Sequence, residues 1–509
     1  MPCVYGRART EKGQVPTMKI KINVDNGSIS AARVASLAGG RLAGAVDAAD
    51  KKDISCVCTD SREVCPGALF VAIAGERTDG HKYIGAAVLS GAAAVLVEKE
   101  PADVRDIPIP VIVTDATVPA LSRIAAGFAS GIKARRVAVT GSVGKTTTKE
   151  FIASVLSQGG SVYRTEGNRN SVIGMPLTML ATPPDAEYAV LEMGMSGFGE
   201  IEAMSLAARP DIAVITNIGS SHLEYLGTRE NIAKAKLEIR AGLAPGGMLL
   251  LNGDEPLLAD VGKTDSRAAY FSASGNTAAE HYITGFRDGG DGCEFDIVSR
   301  GRVIKNAIIP VHGRHNAQAA LIAAAVGLAL GLDEEKIRAG LLAFRPADMR
   351  QNFTTAGGIN IIEDCYNASP ESMRAAIDVL IPAAERLGGI PAAVLGDMGE
   401  LGADSPAMHR EVGRYFAERG GELLIAYGPR SAETARGASE AGLSPEKIVR
   451  IPDIDAPDAP EIAAAAAKLM LGSRDLLLIK ASRAVRAERI VEALGNTDKE
   501  QIKKDEAKA

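Results

Sequence analysis

Apolar residues in this chain gather in short unbroken runs that stop at a glycine or a charged residue, and the stretches between them have helical spacing. Such runs suit strands buried on both faces of a sheet. The first block, to about Val113, has two of them, at residues 69–73 and 94–97. The second opens with a strand at 136–140, passes through a glycine-containing loop, and enters a helix with Phe151, Ile152, Val155 and Leu156 on one face. Further strands are predicted at 188–191 and 212–216. A third block begins near Arg345-Pro346, with strands at 360–363, 392–395, 423–426 and 476–479. Strand–helix alternation in the two later blocks predicts an α/β protein with mostly parallel sheets covered by helices on both faces. The alanine run 463–467 reads as helix, because alanine is the best helix former.

Length and charge narrow the function. A chain of 509 residues has room for about three domains. A formal net charge of −6 argues against the basic footprint of a nucleic-acid-binding protein. Trp is absent and aromatics make up 4%, so a stacking platform for single strands is also excluded. No apolar run reaches the ~18 residues of a membrane-crossing helix. The basic residues Arg7, Arg9 and Lys12 lack the following apolar segment of a signal peptide. Cys56, Cys58 and Cys65 cluster without a second Cys or His pair, a poor zinc pattern, and read as reduced thiols of a cytoplasmic protein. Residues 1–27 are expected to be an extension, with the compact chain starting near Met18, and the charged stretch 496–509 a frayed tail.

The strongest local signal is the segment Val139-Thr140-Gly141-Ser142-Val143-Gly144-Lys145-Thr146-Thr147-Thr148 between a strand and a helix. That is the setting of a phosphate-binding loop. Gly141 and Gly144 let the backbone turn its N–H groups toward phosphates, Lys145 can neutralise them, and Thr146 or Thr147 can offer a hydroxyl to Mg²⁺. The longer phosphate-loop pattern would place a glycine at position 139, where this chain has Val139, so the loop is a shorter variant. No Asn-Lys-x-Asp guanine signature is present.

Two more strand ends supply chemistry. Glu192 stands where the apolar run from 188 stops, the position of a Mg²⁺-binding acid in such folds, and a glycine-rich segment (Gly194, Gly197, Gly199) follows. His222 follows the strand at 212–216 and a Gly-Ser turn, where it reads equally well as structural or functional. Lys236 lies in a predicted helix at 230–240 between Lys234 and Glu238 and by itself reads as a solvated lysine.

Over residues 59–494 the chain resembles the Mur ligase superfamily. The variant loop is that family's form. The segments 167–176 (GNRNSVIGMP), 191–201 (LEMGMSGFGEI), 217–227 (NIGSSHLEYLG) and 233–239 (AKAKLEI) resemble its central ATPase domain, and 313–320 (GRHNAQAA) its adenine-side signature. The resemblance implies three domains: a smaller N-terminal α/β domain for the UDP end (28–113), a central domain of phosphate-loop type (114–344) and a Rossmann-like C-terminal domain (345–495). Thr59-Asp60-Ser61-Arg62, the segment 66–72 (PGALFVA) and Asp79-Gly80-His81 resemble the uridine-binding domain of the later ligases of peptidoglycan synthesis. Asp364-Cys-Tyr366-Asn367-Ala-Ser369-Pro370, the segment 396–402 (GDMGELG) and Lys480-Ala-Ser-Arg483 resemble the D-alanyl-D-alanine-adding branch. The Asp-Asn-Pro-Arg of the diamino-acid-adding branch is absent. Ser369, Ala481 and Met349-Arg350-Gln351 depart from the usual residues.

What the resemblance implies is an amide ligase in which the terminal carboxylate of a UDP-N-acetylmuramoyl-tripeptide is phosphorylated by ATP and then attacked by D-alanyl-D-alanine. Thr140 to Thr147, Asn316, Arg350 and Asp364 would serve the nucleotide; Thr146, Glu192, His222 and a carbamylated Lys236 would hold two Mg²⁺ ions. Ser61, Arg62, Asp79, His81, Asn170, Tyr366, Asn367, Ser369 and Lys480 would serve the other substrates. The protein would act as a cytoplasmic monomer without nucleic acid or membrane insertion. Another ligase of the superfamily, a phosphate-loop ATPase that switches a partner, and a non-catalytic nucleotide-sugar binder are the competing readings, separable by their substrate requirements.

Overall fold

The structure is a computed structural model that describes residues 19–22, 28–51, 53–75 and 78–495. Of the expected extension 1–27, residues 1–18 and 23–27 lie outside the described residues, as does the tail 496–509. The chain joins the first sheet earlier than the sequence boundary at 28 suggested: Lys19–Lys21 pairs antiparallel with Cys56–Cys58. The next neighbours, Ala68–Val71, Ala92–Val97 and Pro110–Val113, continue in parallel, and Arg41–Gly44 closes the far edge antiparallel.

The central sheet has nine strands. From one edge run Val162–Arg164, Tyr188–Glu192, Arg135–Thr140, Ile212–Ile215, Met248–Asn252, Ala268–Ser272 and His281–Gly289, all parallel. Gly292–Ser299 and Arg302–Ile309 then turn back antiparallel. The chain leaves Arg135–Thr140 in one direction and returns to its other side, so the order reverses at that strand. The crevice beyond the carboxyl ends of strands at such a reversal is where open α/β sheets bind ligands. The third sheet orders Asn352–Ala356, Ile359–Glu363, Leu476–Lys480, Pro391–Gly396, Leu423–Tyr427 and Ile448–Ile451, parallel except at its first edge.

Each continuous apolar run named from the sequence lies on a buried strand, and the alanine run falls in the helix Ala459–Met470. The hairpins at 281–309 were not anticipated. Gly292–Ser299 alternates buried and half-buried positions, the pattern of a sheet covered on one face. In the helix Lys145–Leu156, Phe151, Ile152, Val155 and Leu156 are fully buried against the helix Arg314–Ala329, which is buried through most of its length. The ring of Phe151 stacks on Phe344 at 3.5 Å between centroids. Each such side chain stabilises by about 1.5–3 kcal/mol, which seats the phosphate-loop helix on a rigid floor.

The helix Thr117–Ala129 packs against Ala31–Ala38 of the first domain and against Gly174–Leu180 and Glu200–Ala208 of the second, so one continuous core crosses that junction. The third domain touches the second at its ligand end. The Glu371 carboxylate accepts from the Ser220 N–H and hydroxyl, both at 2.8 Å, and the Glu224 N–H donates to the Glu400 carbonyl at 3.2 Å.

Candidate functional site

Three neighbouring strands end together at the reversal: Arg135–Thr140 runs into the phosphate loop, Tyr188–Glu192 ends on Glu192, and Ile212–Ile215 leads to the segment 216–222. Gly141 has φ +151°, and a Cβ there would fall 1.8 Å from Thr216 Oγ1, so no larger residue fits. Gly144 has φ +78° and starts the helix. Asn217 grips the loop from beneath, its Oδ1 accepting from the Ser142 and Val143 N–H groups at 3.1 and 3.0 Å. Thr216 Oγ1 donates to the Val143 carbonyl at 2.7 Å, and the Gly219 N–H donates to Ser142 Oγ at 2.8 Å. Lys145 Nζ folds back onto the Gly141 and Ser142 carbonyls at 2.9 and 3.5 Å. Thr140 lies under the loop, its buried hydroxyl donating to the Met193 carbonyl at 2.8 Å, which ties two strand ends together.

Glu192 is 2% exposed. Its Oε1 accepts from Asn170 Nδ2 at 2.8 Å, while its Oε2 is buried without a hydrogen-bond partner. Asn170, assigned from the sequence to substrate, is therefore occupied in orienting Glu192. Lys236 lies in the helix Arg229–Leu237 and is 1% exposed, not the solvated residue its neighbours suggested. Burial, and then the nearby charge of Lys145, hold its ammonium well below the usual lysine range, which favours a neutral amine. His222 adopts φ +66°, a left-handed conformation uncommon outside glycine. Its Nδ1 sits 2.6 Å from Glu400 Oε2 of the third domain without hydrogen-bond geometry.

The third domain brings more residues to this end. Arg350 donates to Thr146 Oγ1 at 3.2 Å and lies 4.4 Å from the centroid of the Tyr366 ring. Met349 and Gln351 on either side of it have φ +56° and +53°, strain of the kind that collects at functional sites. Asn316 is buried and donates to the His312 carbonyl at 2.7 Å and to Gln351 Oε1 at 2.5 Å. Asp364 Oδ2 pairs at 2.6 Å with the buried Lys480, whose ammonium also reaches the Asn367 carbonyl at 3.2 Å. The Asn367 side chain accepts from the next residue's N–H at 2.9 Å. Ser369, expected from the sequence to serve a substrate, is buried and caps the helix Pro370–Leu387 in a reciprocal box with Ser372.

The first-domain residues largely satisfy one another. Arg62 clasps Asp60, and this holds the Asp60 carboxyl below its ordinary range. Asp79 caps the turn Gly80–Tyr83 and meets His81 Nδ1 at 2.6 Å, while His81 Nε2 accepts from the Glu98 N–H at 3.0 Å. Both ring nitrogens of His81 thus meet groups of its own domain. Ser61 lies in the turn Ser61–Glu63 beside them.

Sequence reasoning missed Asn217, Lys149, Glu371 and Glu400. Asn217 had a local signal, an amide at a strand end. Glu371 and Glu400 reach the segment 219–224 only through domain packing, and a Lys149-Glu150 pair on a helix reads as solvated. Among the described residues no three His, Cys, Asp or Glu side chains converge as a metal cluster. Mg²⁺ does not require one, since it takes one or two carboxylates together with water and phosphate oxygens. Glu192 Oε2, buried without a hydrogen bond, and the loop hydroxyls fit that donor set.

Comparison with known proteins matches this arrangement along most of the chain. Residues 53–136 match the Mur ligase family catalytic domain, 139–327 the Mur ligase middle domain, and 349–483 the Mur ligase glutamate ligase domain. A UDP-N-acetylmuramoyl-tripeptide–D-alanyl-D-alanine ligase of Bacillus subtilis is 38% identical, over 86% of this chain and 92% of its own. The enzyme of the same name from Escherichia coli is 32% identical over 92% and 98%. Among solved structures, MurF from Acinetobacter baumannii superposes with a TM-score of 0.81 at 29% identity, covering 94% of this chain and 99% of that one. MurF ligase from Thermotoga maritima, in complex with ADP, gives 0.74 at 29% identity over 86% and 96%. With three Mur ligase models matched along the chain and a relative 38% identical over most of both lengths, this chain belongs to the Mur ligase family.

Proposed function

We propose that this protein forms an amide bond between the terminal carboxylate of UDP-N-acetylmuramoyl-tripeptide and the amine of D-alanyl-D-alanine, driven by ATP. The observation that carries the reading is 38% identity to a ligase of that name over 92% of its length. The intact Gly144-Lys145-Thr146 loop and a Glu192 oxygen without a hydrogen bond support it.

A carboxylate is a poor acylating agent at neutral pH. Its oxygen attacks the γ-phosphorus of ATP, ADP leaves, and the resulting acyl phosphate is attacked by the dipeptide amine with release of phosphate. Lys145 and the N-terminal end of the helix Lys145–Leu156 stabilise charge on the transferring phosphoryl group. Arg350 and Asn316 face the nucleotide, and Asp364, paired with Lys480, stands near its ribose. Mg²⁺ would be held by Glu192 and Thr146, and a second ion by His222 and the carbamate of Lys236; bound there, the ions would neutralise phosphate charge. Only a neutral amine adds CO₂, and the buried position of Lys236 beside Lys145 supplies one. Ser61 and Arg62 serve the UDP end. Both reactants must be aligned, so closure of the third domain precedes chemistry. Among the described residues no helix is long and apolar enough to cross a membrane, which accords with a cytoplasmic site of action.

The test is phosphate release from MgATP with the tripeptide and the dipeptide supplied separately and together. Release that requires both, with ADP as product, is the expected result. Release without either would leave a switching ATPase, and release with the tripeptide and another amine would move the enzyme to a different ligase step.

A further inference from the structure

One buried cation has no part in the mechanism above. Lys149 lies one helical turn beyond Lys145 in the helix Lys145–Leu156 and is 1% exposed. Removing an ammonium from water costs several kcal/mol, so it needs compensation. Its Nζ donates to the Thr165 carbonyl at 2.6 Å, pairs with Glu150 Oε1 at 3.0 Å and stands 3.9 Å from Glu192 Oε2. Glu150 is shared with Arg164, whose Nε reaches its other oxygen at 2.7 Å. Thr165 links the two sides of the arrangement, because its hydroxyl accepts from the Glu192 N–H at 2.9 Å while its carbonyl holds Lys149.

The Glu192 carboxylate is thus fixed at one oxygen by Asn170 and attracted at the other by an ammonium too distant to form a hydrogen bond. That separation matters. At 3.9 Å the two charges attract strongly in a buried setting, yet the lone pairs of Oε2 stay open. We propose that Lys149 is a positioning residue that stabilises and aims the charged Glu192 carboxylate while leaving Oε2 available to a divalent cation arriving with the nucleotide. The proposal rests on the reading of Glu192 as a metal ligand.

The test uses the full-length protein and Mn²⁺, with binding followed by electron paramagnetic resonance in the presence of a non-hydrolysable ATP analogue. Lys149→Met removes both the charge and the donor to Thr165, whereas Lys149→Gln keeps an N–H donor and removes only the charge. Both are expected to weaken the nucleotide-dependent Mn²⁺ site by roughly 10- to 100-fold, the range for outer-shell partners of metal ligands. Lys149→Arg should fall between these and the wild type, and affinity for the analogue without metal should not change. Wild-type Mn²⁺ affinity in Lys149→Gln overturns the proposal, whether or not Lys149→Met folds, because a loss confined to Met would belong to the Thr165 contact. Glu192→Gln separates the two levels. If it leaves Mn²⁺ binding intact, the metal role of Glu192 fails and the proposal falls with it. If it abolishes the site while the Lys149 variants retain it, only the role of Lys149 fails.

Discussion

At the carboxyl ends of the central strands one carboxylate oxygen is buried without a hydrogen bond, whereas in the first domain Arg62 is held by Asp60, and Asp79 and His81 by each other and by nearby backbone, with Glu63 Oε2 the buried oxygen there that lacks one. Glu192 Oε2 is buried and unbonded, and His222 is in a left-handed conformation. His81, by contrast, meets Asp79 through one nitrogen and the Glu98 N–H through the other. The residue types in the two regions are alike. The difference teaches that a polar side chain satisfied within the fold reports on folding, while an unsatisfied one beside a strained loop reports on a ligand. His281 refines the rule. Its Nε2 is also buried and unbonded, but its Nδ1 meets Ser299 across paired strands at 2.7 Å, in regular sheet. A missing partner marks a site where the strand stops beside a glycine-bearing loop, as Tyr188–Glu192 does next to the loop that follows Arg135–Thr140.

The largest effect that would break this comparison is at Lys145. Lys145→Ala is expected to lower turnover by about 10³-fold or more, since it removes a cation from the phosphoryl group. Phosphate release with all substrates present measures it, and near-normal turnover would show that the unsatisfied region is not where phosphate is transferred. Lys236→Ala should cost on the order of 10²–10³-fold, with partial recovery on adding short-chain carboxylic acids that replace the carbamate oxygens. Activity that is full without such acids would remove Lys236 from the site.

His281 gives a pH test on stability. Burial lowers its pKa to about 4 from the ordinary 6.5, so the folded protein keeps the ring neutral. Between pH 6.5 and about 4 the unfolded chain binds the extra proton, so stability falls as pH drops through that window. Above it the contribution is fully present; below it about 3 kcal/mol is lost. Thermal melts against pH should show a shallower acid decline for His281→Gln. The smallest effect is at the first-domain clasp. His81→Ala should destabilise by about 1–2 kcal/mol, the cost of leaving the Glu98 N–H and Asp79 without a partner. A raised KM for the UDP substrate with unchanged melting would instead return His81 to the binding site and erase the contrast.

Much of the site was legible because its parts are local. A strand running into Gly141, Gly144 and Lys145 needs no distant residue to be recognised, and Glu192 is marked by the end of its own strand. Lys236 and Lys149 were not legible in the same way. Each lies on a helix beside other charged residues, and only the packing of the sheet around them makes them buried. The hairpins at 281–309 escaped because one covered face gives a weaker pattern than the continuous runs of the parallel strands.

By itself the sequence determined the α/β class, the position of the phosphate loop and the acid at the end of a later strand, since these follow from periodicity and from the backbone freedom of a few glycines. The tertiary structure decided which polar groups keep their lone pairs open. It placed Asn217 under the loop, Glu400 against His222 and Lys149 behind Glu192, contacts between residues far apart in sequence that form only when strands and domains come together.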